Sequence, residues 1–449
     1  MQSATPQTEG DAGPPSAPSL IVYERARPDQ GEVATERAIW GNRLIVRGTG
    51  LPASSRVTIS AQAHSLFGSA DDLSAASFLT DKSGTIDTER DEAIEGTYTG
   101  KDVDGLFWSM KPTPTTDATI STYGVRFTLT VDGQEPLVKN IERYLFDQNL
   151  LRVDVKDDGL VGAFYAPKNL TSKKPTIVAF GGSEGGVLAG EGLAVYFAAR
   201  GYPALGLAYF GAPGLPSTLT RVPLEYFDKA YAWLDSRPES DANHIALIGG
   251  SRGGELALLL GARSARVTAV VAQVPSGYVW GAATTDGAAW TVNGVDVPSI
   301  PTWFSSPKTI VQPDGTRTKA YRETFTASIA HADAGSLAAA TISVEKIGGP
   351  VLLLGGAADQ LWPSCDLADV AMKRLESSGH TKTHADKSLC IPEAGHGLAW
   401  FPGTSTYSAQ ASESGSTALA LGGTQAGNGR ARRVVDDAIS AFLGAALGR

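Results

Sequence analysis

From residue 150 onward, short uninterrupted apolar runs alternate with segments of helical period, and no other feature constrains the fold as strongly. Residues 176–180, 204–208, 244–248, 267–272 and 351–354 are dominated by consecutive apolar side chains. Runs of this kind, without a polar residue at every second position, are strands covered on both faces. Between them, Tyr226, Phe227, Ala230, Tyr231, Trp233 and Leu234 fall at helical spacing, and residues 255–262 are strong helix formers. Residues 434–447 predict a closing amphipathic helix. Residues 151–164 predict a β-hairpin that turns at Asp157-Asp158-Gly159. The pattern predicts an α/β domain over residues 148–449, with a mostly parallel sheet and helices on both faces.

The first 150 residues have a different texture. Residues 43–47, 56–60 and 125–131 alternate apolar with polar or end at turn-forming residues, as half-buried antiparallel strands do. Strands at regular spacing without intervening helices predict a β-sandwich over residues 20–147. Residues 1–19 are rich in Pro, Ser, Gly and Thr and carry no intact signal sequence. They are expected to be a disordered leader, of the kind that often follows a cleaved export signal, which favours an exported protein over a cytoplasmic one.

Composition excludes several classes of function. A net charge of −9 argues against a nucleic-acid partner, because phosphate binding needs a basic face. No segment approaches the roughly 18 apolar residues of a membrane span. Cys365 and Cys390 are too few for a disulfide framework and lack metal-type spacing. They either form a single bridge, which would suit an exported enzyme, or are two separate buried thiols. No cofactor or metal is implied, and composition leaves the oligomeric state open.

Gly249-Gly250-Ser251-Arg252-Gly253 has the form G-x-S-x-G, placed after a strand and before a helix. That context is a nucleophile elbow, which lifts a serine hydroxyl above the sheet. A second match, Gly181-Gly182-Ser183-Glu184-Gly185, continues into a loop expected to run through Gly190, too glycine-rich for an immediate helix. Ser251 is therefore the expected nucleophile. Backbone N–H groups of Gly182, Ser183 and Arg252 are the expected oxyanion donors. Serine needs a base and an orienting acid, which follow it along the chain in that fold class. Among the six histidines, His396 sits on a glycine-rich loop after the last expected strand, whereas His380 and His384 are expected at the surface. Asp359 ends the preceding strand, with Asp366 and Asp369 as the nearest alternatives. The aromatic-rich stretch 276–348, with Tyr278, Trp280, Trp290, Trp303, Phe304, Tyr321 and Phe325, is either a lid over an acyl site or packing beneath long loops. Tyr278 and Trp280, with Trp362, are the expected substrate contacts.

Together these motifs resemble one family. Glu95-Gly96-Thr97-Tyr98-Thr99-Gly100 and Gly105-Leu106-Phe107-Trp108-Ser109-Met110 carry the likeness in the first domain. In the second it rests on Phe180-Gly181-Gly182-Ser183-Glu184-Gly185-Gly186, Leu224-Glu225-Tyr226-Phe227, Gly250-Ser251-Arg252-Gly253-Gly254-Glu255, Asp359-Gln360-Leu361-Trp362-Pro363-Ser364, Pro392-Glu393-Ala394-Gly395-His396 and Leu421-Gly422-Gly423. The sequence is similar to the acyl-CoA thioester hydrolases and bile acid-CoA:amino acid N-acyltransferases. The resemblance implies an immunoglobulin-like sandwich before an α/β-hydrolase domain, and activity on acyl-CoA thioesters. It implies the nucleophile, acid and base roles for Ser251, Asp359 and His396. The family's transferase branch uses cysteine as nucleophile, so serine here favours hydrolysis over amide formation. The stretch Gly397-Leu398-Ala399-Trp400-Phe401-Pro402 follows the family only loosely. An exported protein would meet little coenzyme A and would act on another ester. An inert hydrolase fold serving as a binding protein is the non-enzymatic alternative.

Overall fold

The computed structural model describes residues 17–65, 70–146, 149–282, 287–301, 306–312, 315–407, 411–414 and 417–448. Most of the expected leader and the lid residues Trp303 and Phe304 lie outside the described residues. The chain divides into two compact units. One spans Met1–Ala38 and Asn42–Arg143, the other Ile39–Gly41 and Tyr144–Arg449.

Among its described residues, the first unit has antiparallel strands in two sheets. Ser19–Arg25 pairs with Arg43–Thr49 in one, and Arg56–His64 lies between Asp71–Leu79 and Val125–Val131 in the other. Along Arg56–His64 every second residue is buried, the period of a strand with one covered face. Leu129 of the second sheet reaches Gly48 of the first, where an added side-chain carbon would fall 2.7 Å from it.

The second unit is built on one eight-stranded sheet. Its strands in chain order are β1 (Leu150–Val155), β2 (Val161–Pro167), β3 (Lys174–Phe180), β4 (Ala204–Ala208), β5 (Ser240–Gly250), β6 (Val267–Gln273), β7 (Val351–Gly356) and β8 (Lys387–Ile391). They lie side by side as β1-β2-β4-β3-β5-β6-β7-β8. β2 runs opposite to the other seven strands, antiparallel to β1 and β4; from β4 to β8 the pairing is parallel. This mixed sheet with a parallel majority is an α/β-hydrolase arrangement.

Successive strand residues feed opposite cores, because side chains alternate across a sheet. Val178, Phe180, Ile245, Leu247, Val351 and Leu353 join one core with helices α2 (Glu225–Asp235), α3 (Arg252–Gly261) and α4 (Ser364–Ser378). Ile177, Ala246, Ile248, Leu352 and Leu354 join the other, with α1 (Leu188–Ala198) and α5 (Gln425–Leu447). Full burial of each Val, Leu, Ile or Phe side chain among them contributes about 1.5–3 kcal/mol relative to exposure. Both faces are covered, which is why the runs are continuously apolar.

Three expectations need correction, and the open alternative for the two cysteines is decided. The loop after Ser183 ends sooner than its glycines suggest: α1 begins at Leu188, and Gly190 lies inside it where α1 presses on β3 and β4. The closing helix starts at Gln425 rather than Val434, capped by Thr424, whose hydroxyl accepts the Gly427 N–H at 2.9 Å. Gly427, Asn428 and Gly429 are weak helix formers, so tertiary contacts extend the helix against local propensity. His380 is buried rather than at the surface: one ring nitrogen lies 2.7 Å from Asp386 and the other 2.9 Å from the Ile347 carbonyl. Cys365 and Cys390 form a disulfide, closing a separation of 25 positions and tying the first turn of α4 to β8. No helix among the described residues is long and apolar enough to cross a membrane.

Candidate active site

Three loops, at the carboxyl ends of β5, β7 and β8, build the site. The first joins β5 to α3 and holds Ser251 at φ 58°, ψ −124°. A non-glycine residue rarely adopts this conformation, which costs on the order of 1–3 kcal/mol and persists only where its surroundings enforce it. Here the Ser251 N–H donates to the Gln273 carbonyl at 2.9 Å, while the Ser251 carbonyl accepts from Gly254 and Glu255 in the first turn of α3. The flanking glycines are steric requirements. A side-chain carbon on Gly249 would lie 2.2 Å from the Gly253 carbonyl oxygen, and one on Gly253 would lie 2.3 Å from that of Gly181.

The second loop follows β7 and carries Asp359, which is wholly buried. One carboxylate oxygen accepts the backbone N–H groups of Leu361 and Trp362 at 2.9 and 3.2 Å. The other lies 2.8 Å from His396 Nδ1, on the third loop, after β8. An ionised carboxylate only accepts, so Nδ1 is assigned the proton and Nε2 the lone pair. That Nε2 is buried and has no hydrogen-bond partner among the described residues, Ser251 included. The elbow and the histidine loop are adjacent: a carbon on Gly250 would lie 3.5 Å from Ala399 Cβ. Asp366 and Asp369, the alternative acids, are exposed and pair with Arg322 and Lys373 instead.

Residues 421–423 brace the second and third loops together. Gly422 bridges to Asp359 and Gly423 to Ala394, while the His396 N–H donates to the Leu421 carbonyl at 2.8 Å. Asn428 of α5 locks this crossing, accepting from Gly395 N–H at 2.8 Å and donating to the Gly422 carbonyl at 3.1 Å. Asn428 had no sequence signal beyond an unexpected amide between two glycines.

The proposed oxyanion donors are in different states. The Gly182 N–H donates to its neighbour Glu184 Oε1 at 2.8 Å. The N–H groups of Ser183 and Arg252 make no hydrogen bond with a described residue. Glu184 was not singled out from the sequence, although a carboxylate two residues from an expected anion-binding amide is the available clue.

The first turn of α3 also grips the segment after β6. Arg252 donates to the carbonyls of Gly281 and Trp280 at 3.0 and 2.9 Å. Glu255 accepts from the Trp290 indole at 2.8 Å and from the Trp280 N–H at 3.3 Å, and lies 3.2 Å from the Arg252 guanidinium. Burial pushes the Glu255 carboxyl above its ordinary range, against the opposing pull of Arg252 and the two N–H donors. The expected substrate contacts are therefore mostly core. Trp280 and Trp362 are buried, with Phe325 packed between them and Trp362 edge-on to His396 at 5.7 Å. Neither indole presents an open surface, whereas Tyr278 is half-buried.

Sequence comparison places the chain among known proteins. The family profile described as BAAT / Acyl-CoA thioester hydrolase C terminal matches residues 222–449, and that described as Acyl-CoA thioester hydrolase/BAAT N-terminal region matches residues 42–157. Human acyl-coenzyme A thioesterase 1 is 28% identical over 375 residues, covering 80% of this chain and 83% of that protein. Human mitochondrial acyl-coenzyme A thioesterase 2 is likewise 28% identical over 375 residues, covering 80% and 72%. Mouse acyl-coenzyme A amino acid N-acyltransferase 1 is 28% identical over 369 residues, covering 78% and 82%. With both profiles matched in order, the chain belongs to the acyl-CoA thioester hydrolase/BAAT family.

Proposed function

We propose that this protein is a serine hydrolase that cleaves acyl thioesters such as acyl-CoA, or related carboxylic esters, through an acyl-Ser251 intermediate. The observation that most supports it is the buried His396–Asp359 bond, which leaves Nε2 unpartnered. In this reading Nε2 takes the Ser251 proton as the serine oxygen attacks the carbonyl carbon. The resulting oxyanion is met by the Ser183 and Arg252 N–H groups, joined by Gly182 once Glu184 releases it. His396 returns the proton to the departing thiolate or alkoxide. A water deprotonated by the same imidazole then hydrolyses the acyl ester, giving free acid and restoring Ser251.

The same reading takes residues 20–147 as an immunoglobulin-like sandwich, 148–449 as the catalytic domain and 276–348 as a lid over the acyl site. Of the three expected substrate contacts, Tyr278 has the surface to offer.

The N-acyltransferase among the relatives favours a second reading, transfer of the acyl group to an amine. Serine argues against it. An acyl-serine is an oxygen ester, less reactive toward amines relative to water than the thioester an acyl-cysteine would form. Proximity could reverse this only with a dedicated amine pocket. Mass spectrometry of products from a panel of acyl-CoAs, with millimolar glycine or taurine present, should find free acid dominant. Ser251→Cys should divert part of the product to amide. Mainly N-acyl glycine or N-acyl taurine from the unmodified protein would overturn the hydrolase assignment.

A further inference from the structure

Tyr209 lies one residue beyond the carboxyl end of β4 and is nearly inaccessible to solvent. Its hydroxyl reaches two carbonyl oxygens of the loop after β3, Gly181 at 2.8 Å and Gly182 at 3.1 Å. In a planar trans peptide the C=O and the N–H point in opposite directions. Holding the Gly181 carbonyl toward Tyr209 therefore turns the Gly182 N–H away from it, and holding the Gly182 carbonyl turns the Ser183 N–H away likewise. The first consequence is visible, because the Gly182 N–H meets an anionic oxygen, Glu184 Oε1, at 2.8 Å. The nucleophile is on that side too. A carbon added to Gly182 would lie 3.0 Å from Glu184 Oε2 and 3.1 Å from Ser251 Cβ.

The tyrosine is itself held firmly. Its ring packs against Phe180, Phe210, Phe227 and Trp290 at centroid distances of 5.2 to 6.4 Å. Burial pushes its hydroxyl well above the ordinary tyrosine range, and the Glu184 and Glu255 charges add to this against Arg252. Near neutral pH it keeps its proton and acts as a donor.

We propose that Tyr209 is the positioning residue of the oxyanion site, aiming the Gly182 and Ser183 N–H groups by anchoring the carbonyls of Gly181 and Gly182, with the Glu184 carboxylate occupying the place of the substrate oxyanion in the free enzyme. The inference rests on Ser251 being the nucleophile. Tyr209 touches no reacting atom; it acts through the two peptide planes.

A second buried tyrosine supplies the control. The Tyr226 hydroxyl donates to the Ala208 carbonyl at 2.7 Å and accepts the Val161 N–H at 3.0 Å, in the same core but with neither bond to the Gly181 or Gly182 carbonyl. The full-length chain, Tyr209→Phe and Tyr226→Phe are compared for decanoyl-CoA turnover, melting temperature and inhibition by a decyl trifluoromethyl ketone. The serine oxygen adds to the ketone carbonyl and its proton passes to His396, leaving a hemiketal oxyanion in the site. Tyr209→Phe should lower kcat about 10- to 100-fold and weaken ketone binding in parallel, with KM within about twofold. Tyr226→Phe should lower the melting temperature and leave kcat and ketone binding within about twofold. Glu184→Ala reports on donor direction without touching the tyrosine, and should tighten ketone binding roughly 3- to 10-fold by removing the competing carboxylate. A Tyr209→Phe enzyme with unchanged kcat, equal losses of kcat in both tyrosine variants, or weaker ketone binding by Glu184→Ala would overturn the assignment of Tyr209. An unmodified protein that neither turned over decanoyl-CoA nor added the ketone at Ser251 would instead overturn the serine-hydrolase reading beneath it.

Discussion

Ser251 and Ser183 sit in the same five-residue pattern, and backbone geometry separates them. Ser251 holds a positive φ between β5 and α3, whereas Ser183 is absent from the positive-φ residues and leads into a loop. Of the two serines, Ser251 is the one whose backbone is strained. Ser251→Ala should lower turnover by roughly 10³-fold or more, and Ser183→Ala by less than about tenfold, because the latter contributes a backbone N–H that alanine keeps. Steady-state rates on one acyl-CoA would check both; equal losses would mean that the two serines had been confused. Asp359→Asn belongs to the same experiment, with an expected loss of about 10²- to 10⁴-fold and an unchanged melting curve, since the amide would misorient the imidazole. At this scale residue types and strand ends were legible, because local spacing encodes them. The Glu184 contact, the Tyr209 anchor and the Asn428 lock were not legible, since each partner is placed by a different element.

At the scale of elements, α3 does more than back the nucleophile. Its first turn presents Arg252 and Glu255 to the segment carrying Trp280 and Trp290, so the elbow and that segment share one buried ion pair. Removing one partner strands the other in a low-dielectric interior. Glu255→Ala should therefore destabilise the protein by about 3–5 kcal/mol in denaturant titration, while Glu255→Gln, which keeps an acceptor for the indole, should cost clearly less. Equal losses would show that the charge, not the acceptor, holds the segment. Element types over residues 150–449 followed from periodicity, because strands covered on both faces leave little room for polar residues. Where the helices start did not follow so readily. α5 begins nine residues before Val434, where the crossing at residues 421–428 fixes it, and α1 begins within the glycines after Ser183.

Over the whole molecule, each unit has its own pH-sensitive or covalent fastening. In the first, His64 lies between Asp71, 2.5 Å from Nδ1, and the Ile120 carbonyl, 2.8 Å from Nε2. Both ring nitrogens face acceptors, so the geometry favours the doubly protonated ring. The hydrogen bond to Asp71 raises its pKa above the ordinary value, against partial burial. A histidine whose folded pKa is raised contributes stability that is fully present below the unfolded value, near 6.5, and is lost as pH rises through the folded value. His64→Gln should therefore destabilise the unit more at pH 5.5 than at pH 9, in hydrogen exchange resolved to residues of the first unit. A pH-independent difference would show that shape rather than charge matters there. In the second unit the Cys365–Cys390 bond fastens α4 to the strand leading to His396.

What the linear chain carries is the succession of local signals: apolar runs, glycines around two serines, an aspartate and a histidine after strands. These are written in residues a few positions apart, where sterics and periodicity act. Folding supplies the contacts between segments distant in the chain. Asp359 meets His396 across 37 positions because β7 and β8 pair in parallel and deliver their loops to one edge. The disulfide, the burial of His380, the Arg252–Glu255 grip and the hydroxyl of Tyr209 on the loop after β3 have the same origin. Each depends on strand order across the sheet and on which face a helix covers, and neither is encoded by neighbouring residues alone.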